Sequence, residues 1–181
     1  MDEIFLIEPD LSYADDIWEF RQEVLDRDAD SEDRFAGCMS LDTSSSAEEW
    51  IRICALRKSV DTCESTGAAV PSTMYLAVRK SDNRIVGITD LRHHIDHPIL
   101  GTWGGHSGYT VRPSERGKGY AKEILRLNII NAKAMGIEKM LVTCDVINPA
   151  SEKTILANGG VYEKTIDVDG SLMKRYWITV S

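Results

Sequence analysis

Between Val111 and Ala121 the chain reads Val-Arg-Pro-Ser-Glu-Arg-Gly-Lys-Gly-Tyr-Ala, with Arg112, Arg116 and Lys118 crowded around Gly117 and Gly119. A glycine-bearing turn that ends a strand and opens a helix leaves several backbone N–H groups unpaired and aimed at one point. Such a point suits phosphate. The glycines let a ligand approach the main chain, and the basic side chains add charge. Spacing excludes two rival phosphate motifs. A P-loop fails because Gly119 follows Lys118 and Arg112 stands where its first glycine belongs, and the dinucleotide fingerprint fails because Lys122 occupies its third glycine position. An ordinary strand-to-helix turn with a solvated basic face is the plainer alternative.

Other residues have the right types for proton transfer. His93 and His106 fall near the ends of two consecutive antiparallel strands, and a pairing centred between Ile99 and Leu100 sets them opposite each other on one face. Two imidazoles there, with an ordinary pKa of about 6.5, could supply a general base. A one-residue slip would send them to opposite faces, leaving them to brace the Gly-rich loop. Asp145, at the end of a later strand, is a further base or a loop-bracing aspartate. Cys144 reads as a buried strand cysteine. His93-His94-x-x-His97 has only Asp96 beside it, and Pro98 breaks any helix that would align it, so no metal is expected.

The elements that must carry these residues follow from pattern. Met1 to Glu8 reads as a strand, Ser12 caps a helix running to about Asp28, and Ser46-Ala47-Glu48-Glu49 is a capping box that starts a second helix. After Pro71 come strands Thr73 to Arg79 and Ile85 to Arg92 around a turn-rich linker, then His106 to Val111. A helix from about Gly117 to Met135, a strand Met140 to Val146, a helix Pro149 to Asn158 and a hairpin Val161 to Val180 complete the chain. The order β-α-α-β-β-β-α-β-α-β-β predicts one mixed α/β sheet with helices on both faces. With 181 residues, no repeat and no long linker, residues 1–181 form a single domain.

Composition narrows the partners. The net charge is −8, split between −12 over residues 1–70 and +4 over residues 71–181. An acidic chain with one local basic cluster is a poor nucleic-acid binder but suits one small polyanion. The four cysteines have neither zinc nor disulfide spacing and read as reduced thiols, and no apolar run reaches the ~20 residues of a membrane span. A cytoplasmic protein with no membrane contact is expected.

The pattern R-x-x-G-x-A (Arg116, Gly119, Ala121) after V-x-P (Val111, Pro113), with Asn148-Pro149-Ala150-Ser151 following the next strand, resembles the GNAT superfamily of acyl-CoA-dependent N-acyltransferases. Leu91-Arg92-His93, Gly105-His106, Asn158-Gly159-Gly160 and Arg175-Tyr176-Trp177-Ile178 are similar to a bacterial group of predicted acetyltransferases. The resemblance implies a mostly antiparallel sheet splayed between its fourth and fifth strands, with the pantetheine arm of acetyl-CoA in the gap beside Thr110 and Val111. It implies pyrophosphate on the amides of Arg116, Gly117, Lys118, Gly119, Tyr120 and Ala121, and Asn148 and Ser151 near the arm. Where such proteins often carry a tyrosine acid for the thiolate, this chain has Ile155. The implied activity is acetyl transfer to a primary amine of a small molecule or peptide. A non-catalytic acyl-CoA sensor and an unrelated α/β nucleotide-binding protein remain open, and a homodimer through the last strands is compatible.

Overall fold

The structure, a computed structural model, describes residues 2–31 and 34–180; Met1, placed in the first strand from sequence, lies outside the described residues. The elements are β1 (Ile4–Ile7), α1 (Ala14–Arg27), α2 (Ala47–Arg57), α3 (Val60–Cys63), β2 (Ser72–Arg79), β3 (Ile85–Arg92) and β4 (Tyr109–Val111). They continue with α4 (Tyr120–Ala134), β5 (Lys139–Asp145), α5 (Pro149–Ala157), β6 (Val161–Val168) and β7 (Ser171–Thr179). The expected order is present, with α3 added as one short turn.

Local signals act within three residues of where they were expected. Asp10, not Ser12, is the first cap: its carboxylate accepts the Ser12 N–H at 2.7 Å, and after a short 3-10 turn α1 begins at Ala14. The Ser46 hydroxyl accepts the Glu49 N–H at 3.2 Å as a capping box requires, while the Glu49 carboxylate turns back to the Ser45 N–H at 2.7 Å. α4 starts at Tyr120 rather than Gly117 because Gly117 and Gly119 have φ of +77° and +90°. L-residues rarely adopt that region, and it is not helical.

The expected single sheet is two hydrogen-bonded sheets, β1-β2-β3-β4 and β5-β7-β6, each antiparallel throughout. Helices cover both faces, as expected. On one, Ile17, Phe20 and Val24 of α1 and Trp50 of α2 pack on Leu76 and Ile88. Their spacing along α1 puts three side chains on one stripe, and each contributes about 1.5–3 kcal/mol by burial. On the other face Leu125 of α4 and Ile155 of α5 pack on Leu91, Val142 and Tyr176. These two cores hold β4 and β5 on either side of a gap.

Candidate functional site

The gap is a cleft of about 770 Å³. Its two edges are main chain. β4 pairs with β3 in the register Thr89↔Tyr109, Ile88↔Thr110 and Gly87↔Val111, and flanking bonds run from Asp90 N to Gly108 O and from Arg112 N to Val86 O. Even-numbered residues therefore give their peptide groups to β3. Antiparallel alternation turns the N–H and C=O groups of Tyr109 and Val111 the other way, toward β5. β5 bonds β7 along one edge, and its other edge, carrying the peptide groups of Leu141, faces β4. An extended ligand bearing amides fits between two such edges. Val111 thus turns its main chain toward the gap, its carbonyl accepting from Arg116 Nε at 3.2 Å, whereas Thr110 gives its main chain to β3 and contributes a wall: its hydroxyl donates to the Ala36 carbonyl at 2.8 Å.

That wall is the loop after α1, and it lies on β4 through two glycines. At Gly108 an added Cβ would stand 2.6 Å from the Gly37 nitrogen, and at Gly37, with φ +74°, it would collide with the Gly108 carbonyl. Both obstacles are backbone and cannot rotate aside. Gly108→Ala should lower stability by about 1–3 kcal/mol, read as a reduced urea midpoint. An unchanged midpoint would mean that the loop does not rest on the strand.

At one end the cleft reaches the turn before α4. Gly119 is the N-cap, no side chain among the described residues caps it, and a Cβ at Gly117 would enter open space. The first-turn N–H groups of α4, including those of Tyr120 and Ala121, are thus left for an anion. The basic side chains behave differently from expectation. Arg112 is fully buried, donating to the carbonyl and carboxylate of Asp16 with Phe20 beside it. Arg116 holds Asp28 through two bonds of 2.8 and 2.5 Å and donates to the Val111 carbonyl. That pairing lowers the Asp28 pKa and raises that of Arg116. Lys118 pairs with Glu115 at 2.8 Å and is outside the lining. Burial would raise the Glu115 pKa, but hydrogen bonds from Lys118 and Arg79 outweigh it and lower it. The turn's own charges are largely neutralised, and Lys122 and Lys153 bring positive charge to the lining.

Asn148 caps α5, its side-chain oxygen accepting the Ser151 N–H at 3.0 Å, and both residues line the cleft. The Ser151 hydroxyl meets the Tyr109 hydroxyl at 2.8 Å. Burial pushes the Tyr109 phenol up to about 12, so it stays protonated. Ile155 is completely buried in the core. A phenol absent from α5 is presented from β4 instead, a possibility visible only in the alternation of a three-residue strand.

The histidine pairing is corrected. Arg92, not His93, stands opposite His106, its N–H donating to the His106 carbonyl at 2.8 Å. The π-helical turn Leu100–Gly104 makes the connection asymmetric and slips the register by one residue. His93 bonds Thr73 Oγ1 at 2.9 Å, and His106 Nδ1 accepts the Leu141 N–H at 2.9 Å. Burial, then the Arg92 charge, push His106 down to about 4. Neither ring lines the cleft; Asp145 does, with one oxygen bracing the Ile147 N–H at 2.9 Å.

His106 is thus neutral in the fold but protonates at about 6.5 when unfolded. The unfolded state binds the extra proton between those values, so stability is complete above pH 6.5 and falls as pH drops toward 4, by roughly 3 kcal/mol. Urea midpoints at pH 7 and pH 4.5 should show this loss, and His106→Asn should flatten it. Equal slopes in both proteins would assign the acid sensitivity elsewhere.

Residues 6–161 match a family model described as acetyltransferase (GNAT) domain. A search of curated protein sequences found no match. Among solved structures, the chain is similar to the microcin C7 self-immunity acetyltransferase MccE in complex with acetyl-CoA and AMP. There the identity is 18% and the TM-score 0.66, over 99% of this chain and 94% of that one. It is also similar to RimL, a ribosomal L7/L12 α-N-protein acetyltransferase in complex with coenzyme A, at 20% identity and TM-score 0.64 over 98% of each chain. A mutant of the spermidine N-acetyltransferase SpeG from Vibrio cholerae aligns at 13% identity and TM-score 0.62, over 97% of this chain and 94% of that one.

Proposed function

The chain belongs to the GNAT acetyltransferase family, and from that premise we propose that it is a cytoplasmic enzyme, one domain over residues 1–181, transferring acetyl from acetyl-CoA to a primary amine. The observation that carries this reading is the slot between two strand edges, leading to an uncapped helix N-terminus behind Gly117 and Gly119. Acetyl-CoA would supply the thioester carbonyl and the thiol leaving group. The main-chain groups of Tyr109 and Val111 would hold the amide-bearing arm, and the amides at the start of α4 the pyrophosphate. Compartment is supported by chemistry: Cys38, Cys54, Cys63 and Cys144 are all free thiols.

An N–H of β4 directed into the slot can donate to the carbonyl oxygen as charge develops there. Asp145, the carboxylate candidate that lines the cleft, would attract the ammonium and take its proton, directly or through water. Ser151, backed by the Tyr109 hydroxyl, would deliver a proton to the departing sulfur. A sensor would have no use for that pair, which favours turnover. Two of the structurally similar proteins are a spermidine N-acetyltransferase and a ribosomal-protein α-N-acetyltransferase, so a small-molecule and a peptide amine both belong in the test. That test is thiol release from acetyl-CoA against an amine library, paired with calorimetric titration of acetyl-CoA. Binding with no release for any amine would leave the sensor, and no binding would remove the cofactor assignment.

A further inference from the structure

The chain entering β4 is held to β5 by a side chain. His106 donates its main-chain N–H to the Leu141 carbonyl at 2.8 Å, and the Leu141 N–H returns to the ring, at Nδ1, rather than to a carbonyl. The reason is competition. The carbonyls of Gly104 and Gly105 both accept from Arg92 Nη1, at 2.8 and 3.0 Å, and the His106 carbonyl accepts from the Arg92 N–H. One arginine thus consumes three consecutive main-chain acceptors, and the imidazole replaces them. Arg92 is itself fixed by Asp90 at 3.1 Å, and the other Asp90 oxygen accepts the Gly108 N–H at 2.6 Å. Gly105 makes the approach feasible, since a Cβ there would stand 2.6 Å from the Leu141 carbonyl.

We propose that His106 is a positioning residue: its imidazole acts as a stand-in carbonyl that pins β5 to the chain entering β4, and so sets where the two sheets part and how wide the slot is. The inference rests on the reading of that slot as the seat of an acyl-CoA arm. Because Nδ1 accepts, the ring proton is on Nε2, and the ring has no second lone pair to offer an ammonium. His106 therefore does not act as the base. Below the pin the sheets are joined; above it Tyr109 and Val111 face open space.

The test compares His106→Leu, similar in bulk but without an acceptor, with His106→Asn, whose Oδ1 can take the place of Nδ1. Three quantities are read: hydrogen exchange of the Leu141 amide, calorimetric affinity for coenzyme A, and kcat and KM with the amine found by screening. In His106→Leu the Leu141 amide should exchange at least about tenfold faster and coenzyme A should bind about tenfold more weakly, the effect of one lost buried hydrogen bond. His106→Asn should restore both to within about threefold of wild type, together with kcat. Wild-type exchange at Leu141 in His106→Leu would overturn the pin. Faster exchange with unchanged coenzyme A affinity would overturn its role in the slot. Loss of kcat in His106→Asn with Leu141 protected would make the ring a base and overturn the proposal. A wild-type protein that protects Leu141 yet binds no coenzyme A would refute the reading of the cleft instead.

Discussion

Gly119→Val should abolish acetyl-CoA binding, weakening it at least about 100-fold, while the protein still unfolds cooperatively. Gly119 is the N-cap of α4 at φ +90° and ψ 0°. A β-branched residue is strained there by about 1–3 kcal/mol, so the turn must shift and carry the first amides of α4 out of line. On the proposed reading those amides, rather than arginine side chains, form the anion site, so little would remain to hold a pyrophosphate; a 100-fold loss corresponds to about 3 kcal/mol. Arg116→Ala should weaken binding by less than about tenfold, because that guanidinium is already committed to Asp28 and the Val111 carbonyl. A calorimetric titration decides the matter. Wild-type affinity in Gly119→Val would remove the turn from the binding site, and a larger loss in Arg116→Ala would mean that the ligand displaces Asp28.

The second large effect is on turnover. Ser151→Ala should lower kcat about 100-fold with KM for acetyl-CoA changed little, the signature of a group that acts as the thiolate leaves. Tyr109→Phe should fall in the same direction by a smaller factor, since it removes the hydroxyl behind Ser151 and leaves the serine in place. The double variant should lose little more than Ser151→Ala, because the two hydroxyls act as one unit. Additive losses would separate their roles, and an unchanged kcat in Ser151→Ala would hand the proton to water.

Much of the architecture was legible because local rules produce it. The glycine turn before α4, the capping box at Ser46 and the apolar stripes of α1 and α4 each involve residues within a few positions of one another. What escaped was set by distant partners. Nothing near Arg112 or Arg116 announces that Asp16 and Asp28 neutralise them, across 96 and 88 positions. The base candidates His93 and His106 depended on a symmetric connection, and a π-helical turn at Leu100–Gly104 is invisible to periodicity. Strand β4 is three residues, not six, because the Gly108 N–H goes to the Asp90 carboxylate and the His106 N–H to the Leu141 carbonyl instead of to the main chain of β3. The loop on Gly108 was equally hidden, since Gly37 looks like any other loop glycine until β4 is laid against it.

The open edges of β4 and β5 have a consequence for the company this protein keeps. An unsatisfied strand edge ordinarily recruits another polypeptide, and chains that expose one risk sticking to each other. Here the edges lie inside a groove roofed by the loop that Gly37 and Gly108 press onto the strand and closed at its base by His106 and Leu141. A β-strand brings side chains on both faces, whereas the amide-bearing arm of the proposed cofactor brings none. On that reading the groove would favour one kind of backbone partner over neighbouring proteins.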